Sequence, residues 1–234
     1  IYSELYRSLD GGISFQNLLP ELSSANAQFF DLQIGAGGTI YLAVGIPYSG
    51  APSIYIPFLY VSQDDGDHWD KSQIPLYHTI GGNPGVKNAS LQLNPVGHLL
   101  ISFVCEWEPQ DGAYSDYCQI SSSKNEGKNW EIVYTTADTD IRTWAHSSGI
   151  LYCYARENNN LWYGASPEPD RRLWSSWDNW KTWQENNWDG GIKEFKEDSD
   201  SRLYIVTNYQ GIYMANPQAL FTPGLVHPAS LTPQ

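Results

Sequence analysis

Two stretches of this chain place aromatic rings beside carboxylates and amides, the combination that can hold a sugar. The first, from Glu106 to Asp116, carries Trp107, Glu108, Asp111 and Tyr114, and the second runs through Arg156, Asn158, Asn159, Asn160 and Trp162. Shorter segments of similar make-up hold Tyr48 and Ser49, then Tyr77, His78 and Asn83, then Trp188 and Asp189. The apolar face of a pyranose stacks on an aromatic ring, while carboxylates and amides take its hydroxyls in directed pairs. Trp107, Tyr114 and Trp162 are therefore candidate stacking platforms. Glu108, Asp111 and Asn159 are candidate hydroxyl partners, and Tyr48 and Tyr77 complete the ligand-binding set. The plain alternative for any one of these aromatics is that it plugs a gap in the core.

Other chemistries find less support. The five His, at 68, 78, 98, 146 and 227, show no close ligand spacing, so neither a metal site nor a cofactor is expected. No local signature of a Ser-His-Asp or Cys-His nucleophile is present. A net charge of −13, with only 13 Lys and Arg, argues against nucleic acid and anionic membrane surfaces, because phosphates must be neutralised by cations. No run approaches the ~20 apolar residues that span a bilayer, so membrane insertion is not expected. Few Lys, many Trp, Asn and Ser, and an Asn88-Ala89-Ser90 sequon lean towards a secreted, extracellular protein. Cys105 and Cys118 fall on what read as adjacent strands, where a bridge is geometrically open, and Cys153 reads as a buried core residue.

The elements that must position these residues come from an internal repeat. Ser8–Phe15 (SLDGGISF), Ser62–Trp69 (SQDDGDHW), Ser123–Trp130 (SKNEGKNW) and Ser176–Trp183 (SWDNWKTW) share the form Ser-x-Asp/Asn-x-Gly-x-x-aromatic, with Trp180 in place of Gly in the last. This is turn chemistry. The Asp or Asn side chain accepts backbone N–H groups two or three residues ahead, Ser adds a second acceptor, Gly takes positive φ and the aromatic enters a core. The fourth turn, lacking Gly, is expected to be distorted. Apolar strands recur in step at 38–44, 97–103, 149–154 and 201–206, each preceded by another at 29–33, 89–93, 141–144 and 192–196. Each unit thus reads as four short strands A to D, with the turn between C and D and little room for helix.

These four turns in register resemble the Asp-box, or BNR, repeat of sialidases, sortilin-type receptors and several propeller lectins and glycosidases. The resemblance covers nearly the whole chain. It implies an all-β fold, a β-propeller of four-stranded antiparallel blades spanning residues 1–216, followed by a Pro-containing tail at 217–234. Five blades of about 47 residues fit the strand inventory; four blades, or a fragment of a larger propeller, stay open. It also implies that Ser8, Asp10, Asp64, Asn125 and Asp178 are structural, away from the ligand.

A sialidase would need three arginines around the substrate carboxylate. Only Arg7, Arg142, Arg156, Arg171, Arg172 and Arg202 are present, the adjacent pair would point to opposite faces of a strand, and no Arg precedes Tyr55-Ile56-Pro57. A glycosidase working through two carboxylates stays open. The expected function is a non-catalytic, lectin-like propeller that binds glycan or glycoprotein on the face opposite the Asp-box turns. A propeller that binds a protein partner or assists assembly is the alternative.

Overall fold

The computed structural model describes residues 4–48, 51–77, 82–94, 96–109, 115–136, 140–156, 171–178, 182–186, 192–207, 211–215 and 232–233. The chain divides into two compact units, residues 1–93 with 97–136 and residues 94–96 with 137–234. In the first, β1 (Tyr6–Arg7) and β2 (Gln16–Asn17) flank the first turn, and a short helix α1 (Pro20–Ser24) follows. Next come two antiparallel meanders: β3 (Gln28–Ile34), β4 (Ile40–Tyr48), β5 (Ala51–Ser62) and β6 (Asp70–Gln73), then β7 (Gly82–Leu93), β8 (Leu99–Pro109), β9 (Ser115–Ser123) and β10 (Glu131–Thr136). One pair, Tyr55 with Val86, connects the two meanders. The second unit repeats the plan with β11 (Asp140–Ala145), β12 (Leu151–Arg156), β13 (Arg171–Ser176) and β14 (Gln184–Asn186), then β15 (Ile192–Glu197), β16 (Leu203–Thr207), β17 (Ile212–Ala215) and the two-residue β18 (Thr232–Pro233). The helix was not expected. It forms where Pro20 occupies the first turn, whose N–H groups have no intrahelical partner, and where Leu22 joins Leu19 in the core. No helix among the described residues is long and apolar enough to cross a membrane.

The second strands β4, β8 and β12 are buried on both faces over most of their described length, which explains their unbroken apolar runs, whereas β16 alternates, with Tyr204 and Val206 half-buried. On β4, Leu42 and Val44 pack with Leu19, Leu22 and Tyr60, while Tyr41 and Ala43 face the opposite way, into a core with Leu59, Leu91 and Phe103. In the second unit Tyr152, Tyr154, Phe195, Leu203 and Ile205 form the core, with Trp144, Tyr152 and Phe195 stacked at 5.8–6.3 Å between ring centroids.

The turns connect the sheets. In the first three, the Ser Oγ accepts the N–H of the residue four ahead, Gly12, Gly66 or Gly127, at 2.7–2.8 Å. In all four, the Asp or Asn oxygen accepts the N–H four residues ahead, from Ser14, His68, Asn129 and Thr182, at 2.9 Å. The expected reach of three residues is seen in the first turn, where Asp10 also accepts the Ile13 N–H at 3.1 Å, and all four turns add the bond one residue further on. The fourth turn keeps this bond although Trp180, itself outside the described residues, replaces Gly. Gly66 and Gly127 have φ of +95° and +82°, and each also seats the turn on chain that precedes it. A Cβ on Gly66 would lie 2.6 Å from Leu18, and one on Gly127 2.1 Å from buried Leu59. Polar bonds reinforce both contacts: Arg7 donates to the Asp65 carbonyl at 2.7 Å and to Asp67 at 2.8 Å, and Ser72 donates to the Gly127 carbonyl at 2.9 Å.

Two sequence expectations are corrected. Cys105 pairs with Tyr117 and Val104 with Cys118, so the two cysteines project from opposite faces and cannot bridge; all three Cys are buried and none is in a disulfide. The closing aromatics are not equivalent buried residues. Trp69 and Trp130 are half-buried against different cores, Trp183 is half-buried, and Phe15 is 65% exposed because β1 and β2 form only a two-stranded pair at that turn.

Gly127→Ala combines a left-handed alanine with an overpacked Leu59 and is expected to cost roughly 2 to 5 kcal/mol in urea unfolding. Gly97→Ala, at φ +82° with nothing within 4 Å, isolates the backbone term and should cost only about 1 to 2 kcal/mol. Equal costs would remove the seating role from Gly127.

The turn carboxylates also predict an acid response. Hydrogen bonds from the Ser14 hydroxyl and N–H and the Ser8 hydroxyl hold Asp10 at about 2, and the His68 N–H and ring hold Asp64 at about 2, both below the ordinary 3.8. A depressed carboxyl contributes stability that is present above its unfolded value and is lost as pH falls through the folded one. Melting temperature should therefore drop between pH 4 and 2. Asp64→Asn, which copies the natural Asn125, should flatten that drop in calorimetry; an unchanged pH profile would contradict the assignment.

Candidate functional site

Strand polarity assigns each sheet two ends. In the first unit β5 and β9 run into the turns at Ser62 and Ser123, so the junctions from β4 to β5 and from β8 to β9, and the exit from β6, lie at the other end. Four sequence candidates reach that end. Tyr48, 41% exposed, closes β4, and Tyr77, 55% exposed, follows β6. Trp107 and Glu108 lie there too, but on a strand rather than in the expected loop from Glu106 to Asp116. The ladder of β8 continues to Pro109, pairing Trp107 with Ser115 and Pro84, and Glu108 with Asn83. Asp111, Tyr114, Asn159 and Trp162 lie outside the described residues.

The segment carrying Tyr77 is held by a residue that the sequence did not single out. Gln119, on β9 and fully buried, accepts the Tyr77 N–H at 2.7 Å and donates to the Pro75 carbonyl at 2.8 Å and to the Ser121 hydroxyl at 2.7 Å. In sequence Gln119 alternates with the apolar Cys118 and Ile120 and reads as a polar-face residue, and spacing says nothing of a carboxamide's distant partners, so no sequence signal pointed to it.

Two further polar groups were also missed. Asp31, on β3, accepts the Leu91 N–H of β7 and the Leu32 N–H, both at 2.8 Å, and so connects the first strands of the two meanders. Burial raises its pKa, and the hydrogen bonds from Leu91, Leu32 and Ser90 only partly oppose that rise. In the second unit, buried His146 accepts the Ser148 N–H at 3.1 Å on Nδ1, with the Ser148 hydroxyl 2.7 Å from the same nitrogen. That assigns the proton to Nε2, which lies 3.1 Å from the Ser201 carbonyl and 3.4 Å from Glu197. Ser147 gives its N–H to Glu197 at 3.1 Å, and its hydroxyl to the same carboxylate. Burial pushes the Glu197 carboxyl up, but these donors outweigh it and the net shift is downward. A hydroxyl, an imidazole and a carboxylate here share one cluster. The imidazole lone pair is nevertheless taken up within its own turn, and the cluster ties the turn between β11 and β12 to the one between β15 and β16. It lies at the same end of its sheets as the Ser176 turn.

In the repeated turns themselves, the acidic and amide side chains bond to backbone. Asp10, Asp64, Asn125 and Asp178 each serve their own turn, and Asp198 does the same for Asp200 and Arg202. Among the described residues no group of three or more His, Cys, Asp or Glu could hold a metal ion.

No protein-family model and no curated protein matches the chain. Solved structures do. A Hadza microbial sialidase, Hz136, aligns at 12% identity over 81% of this chain and 44% of its own length, with a TM-score of 0.51. The α-L-arabinanase of Penicillium chrysogenum complexed with arabinobiose aligns at 18% over 92% of this chain and 69% of its own, TM-score 0.52. The GH74 xyloglucanase of Xanthomonas campestris aligns at 15% over 93% of this chain and 34% of its own, TM-score 0.58. The chain thus spans under half the length of the sialidase and about a third of the xyloglucanase. At these identities the likeness establishes the fold: the chain is all-β, a propeller of four-stranded antiparallel blades.

Asp31 gives a prediction of opposite sign to the turn carboxylates. A raised carboxyl contributes stability that is present below its unfolded pKa and lost as pH rises through the folded value. Asp31→Asn keeps an acceptor for Leu91 without the cost of a buried charge. It should match or exceed the parent in urea unfolding at pH 7 and lose that advantage near pH 3; a clear loss at pH 7 would show that the charge itself is needed.

Proposed function

We propose that this chain is a non-catalytic, lectin-like propeller of Asp-box type that binds glycan at the blade ends opposite its turns, and that it acts outside the cell. The observation that carries the reading is the division of labour between the two ends. The polar side chains of the turns serve their own backbone and the seating of one sheet on the next, and although Phe15 and Trp177 are exposed there, it is at the opposite end of the first unit that the exposed Tyr48 and Tyr77 meet connections rich in carboxylates and amides. Trp107, Glu108, Asp111 and Tyr114 are proposed to join them there, and Asn159 and Trp162 are proposed to do the equivalent work within the second unit. Binding residues concentrate on the connections of rigid scaffolds, and an aromatic ring flanked by carboxylate and amide suits a sugar's two faces. The exposed position of Asn88, in its sequon, supports the extracellular reading.

Arabinobiose and xyloglucan oligosaccharides are the first probes, because proteins of the same fold carry those sugars in their names, and a broad array of animal and plant glycans follows. Tyr77→Ala and Trp107→Ala should each weaken retention on the bound glycan by roughly fivefold or more, the equivalent of about 1 kcal/mol of stacking, at unchanged melting temperature. A blank array together with capture of a defined protein partner would replace this reading with an interaction propeller. Release of reducing sugar from the probes would replace it with a glycosidase.

A further inference from the structure

We infer that Gln119 is a positioning residue for the ligand-binding end, fixing the segment after β6 so that Tyr77 is presented from a rigid backbone. The inference rests on the reading of that end given above, and it adds a residue that touches no ligand. Three observations carry it. Gln119 is fully buried, and its carboxamide acts on both sides of one short stretch, accepting the Tyr77 N–H at 2.7 Å and donating to the Pro75 carbonyl at 2.8 Å. A side chain that takes one N–H and one C=O from residues two apart imitates a strand neighbour, so it orders a segment with no ladder of its own. The remaining amide hydrogen is taken by Ser121, also buried, two residues along the same strand and on the same face, which holds the carboxamide plane in place.

The second observation comes from the repeat. Four residues ahead of the turn serine, the equivalent positions are Glu4, Phe58, Gln119 and Arg172. The blade scaffold therefore does not call for glutamine there, and Phe58 fills the matching place on β5 with an aromatic ring under Lys71. A buried polar group that the scaffold does not require, and whose hydrogen bonds go to one connection, is specific to that connection.

The third observation is the location. The segment from Ile74 to Tyr77 leaves β6 at the end opposite the turns. Ile74 and Leu76 are buried in the core while Tyr77 is 55% exposed. Gln119 thus stands between a fixed core contact and an exposed tyrosine, and ordering the backbone in advance lowers the entropy that binding would otherwise cost.

The test uses the full chain with Gln119→Met, which keeps the volume and removes the carboxamide. Amide hydrogen exchange, resolved to Tyr77, should accelerate by about fivefold or more, as expected for one lost hydrogen bond, while Leu91 and Ile101 in the core stay protected. Retention on arabinobiose or xyloglucan oligosaccharide, whichever the parent binds, should fall as far as it does in Tyr77→Ala. The double variant should fall no further, because both changes act through one contact. Unchanged exchange at Tyr77 overturns the inference regardless of ligand. Faster exchange with full retention overturns the link to binding, and full additivity in the double variant does the same. If Tyr77→Ala alone leaves retention intact, the reading of the site fails, while the exchange data still decide whether Gln119 holds the segment. Gln119→Glu covers the case in which the Met variant does not fold. Its neutral acid form offers one acceptor and one donor, whereas the ionised form still accepts the Tyr77 N–H but sets an oxygen against the Pro75 carbonyl. The protection factor at Tyr77, corrected for the intrinsic pH dependence of exchange, should therefore hold at acidic pH and fall as the acid ionises and the Pro75 contact is lost. A protection factor independent of pH overturns the inference.

Discussion

A propeller sheet is buried on two faces, so its neighbours must come close at the turn as well as along the strands, and here that approach is made by backbone against side chain. The Gly127 backbone lies so near Leu59 that no Cβ fits between them, and Gly66 stands in the same relation to Leu18. Such proximity is possible only if the turn has no polar group left to hydrate, since an unpaired N–H in that position would cost more than the apolar contact returns. The serine and the Asp or Asn of each turn remove that penalty by accepting the N–H groups that would otherwise point nowhere. The Asp and Ser therefore make the glycine contact affordable, and the glycine contact brings the apolar strands of consecutive sheets into one core.

That dependence explains how much of the fold was legible. A turn needing Ser, Asp or Asn, and Gly at fixed offsets leaves a mark every 53 to 61 residues, and strands of 5 to 7 apolar residues between the marks leave a second one in step. Strand order followed directly. What depended on register was not visible. The parity that sends Cys105 and Cys118 to opposite faces is set by pairing Val104 with Cys118, and moving the ladder by one residue would reverse it. The length of β7 and β8 was also hidden, because their outer ends at Gly82–Gly85 and Glu106–Pro109 are mixed in composition and read as loop. The exposure of Phe15 was missed for a related reason. Its motif is intact, but the two-stranded pair beside it buries nothing there.

The site was legible as composition rather than as geometry. Aromatic, acidic and amide residues cluster in the connections, and Tyr48, Tyr77, Trp107 and Glu108 do reach one end of the first unit. The groups that organise such an end are different. Gln119 and Asp31 act through single backbone N–H and C=O groups on other strands, and those pairings form only when residues 42 to 60 positions apart meet. Sequence spacing carries no trace of such partners, whereas the turns, whose bonds span two to four residues, can be read directly.

The turn carboxylates bear on how the two ends differ. Asp10 and Asp64 sit in exposed turns with several donors each and are held at about 2, so they are anions with both oxygens already bonded within the turn. A ligand that addressed them would share oxygens on which the turn itself depends. At the opposite end the connections differ in length and residue type from blade to blade, and among the described residues Gln119 ties one of them to a strand. Variation there leaves the seating of the sheets untouched, and that freedom is the physical ground for placing recognition at that end.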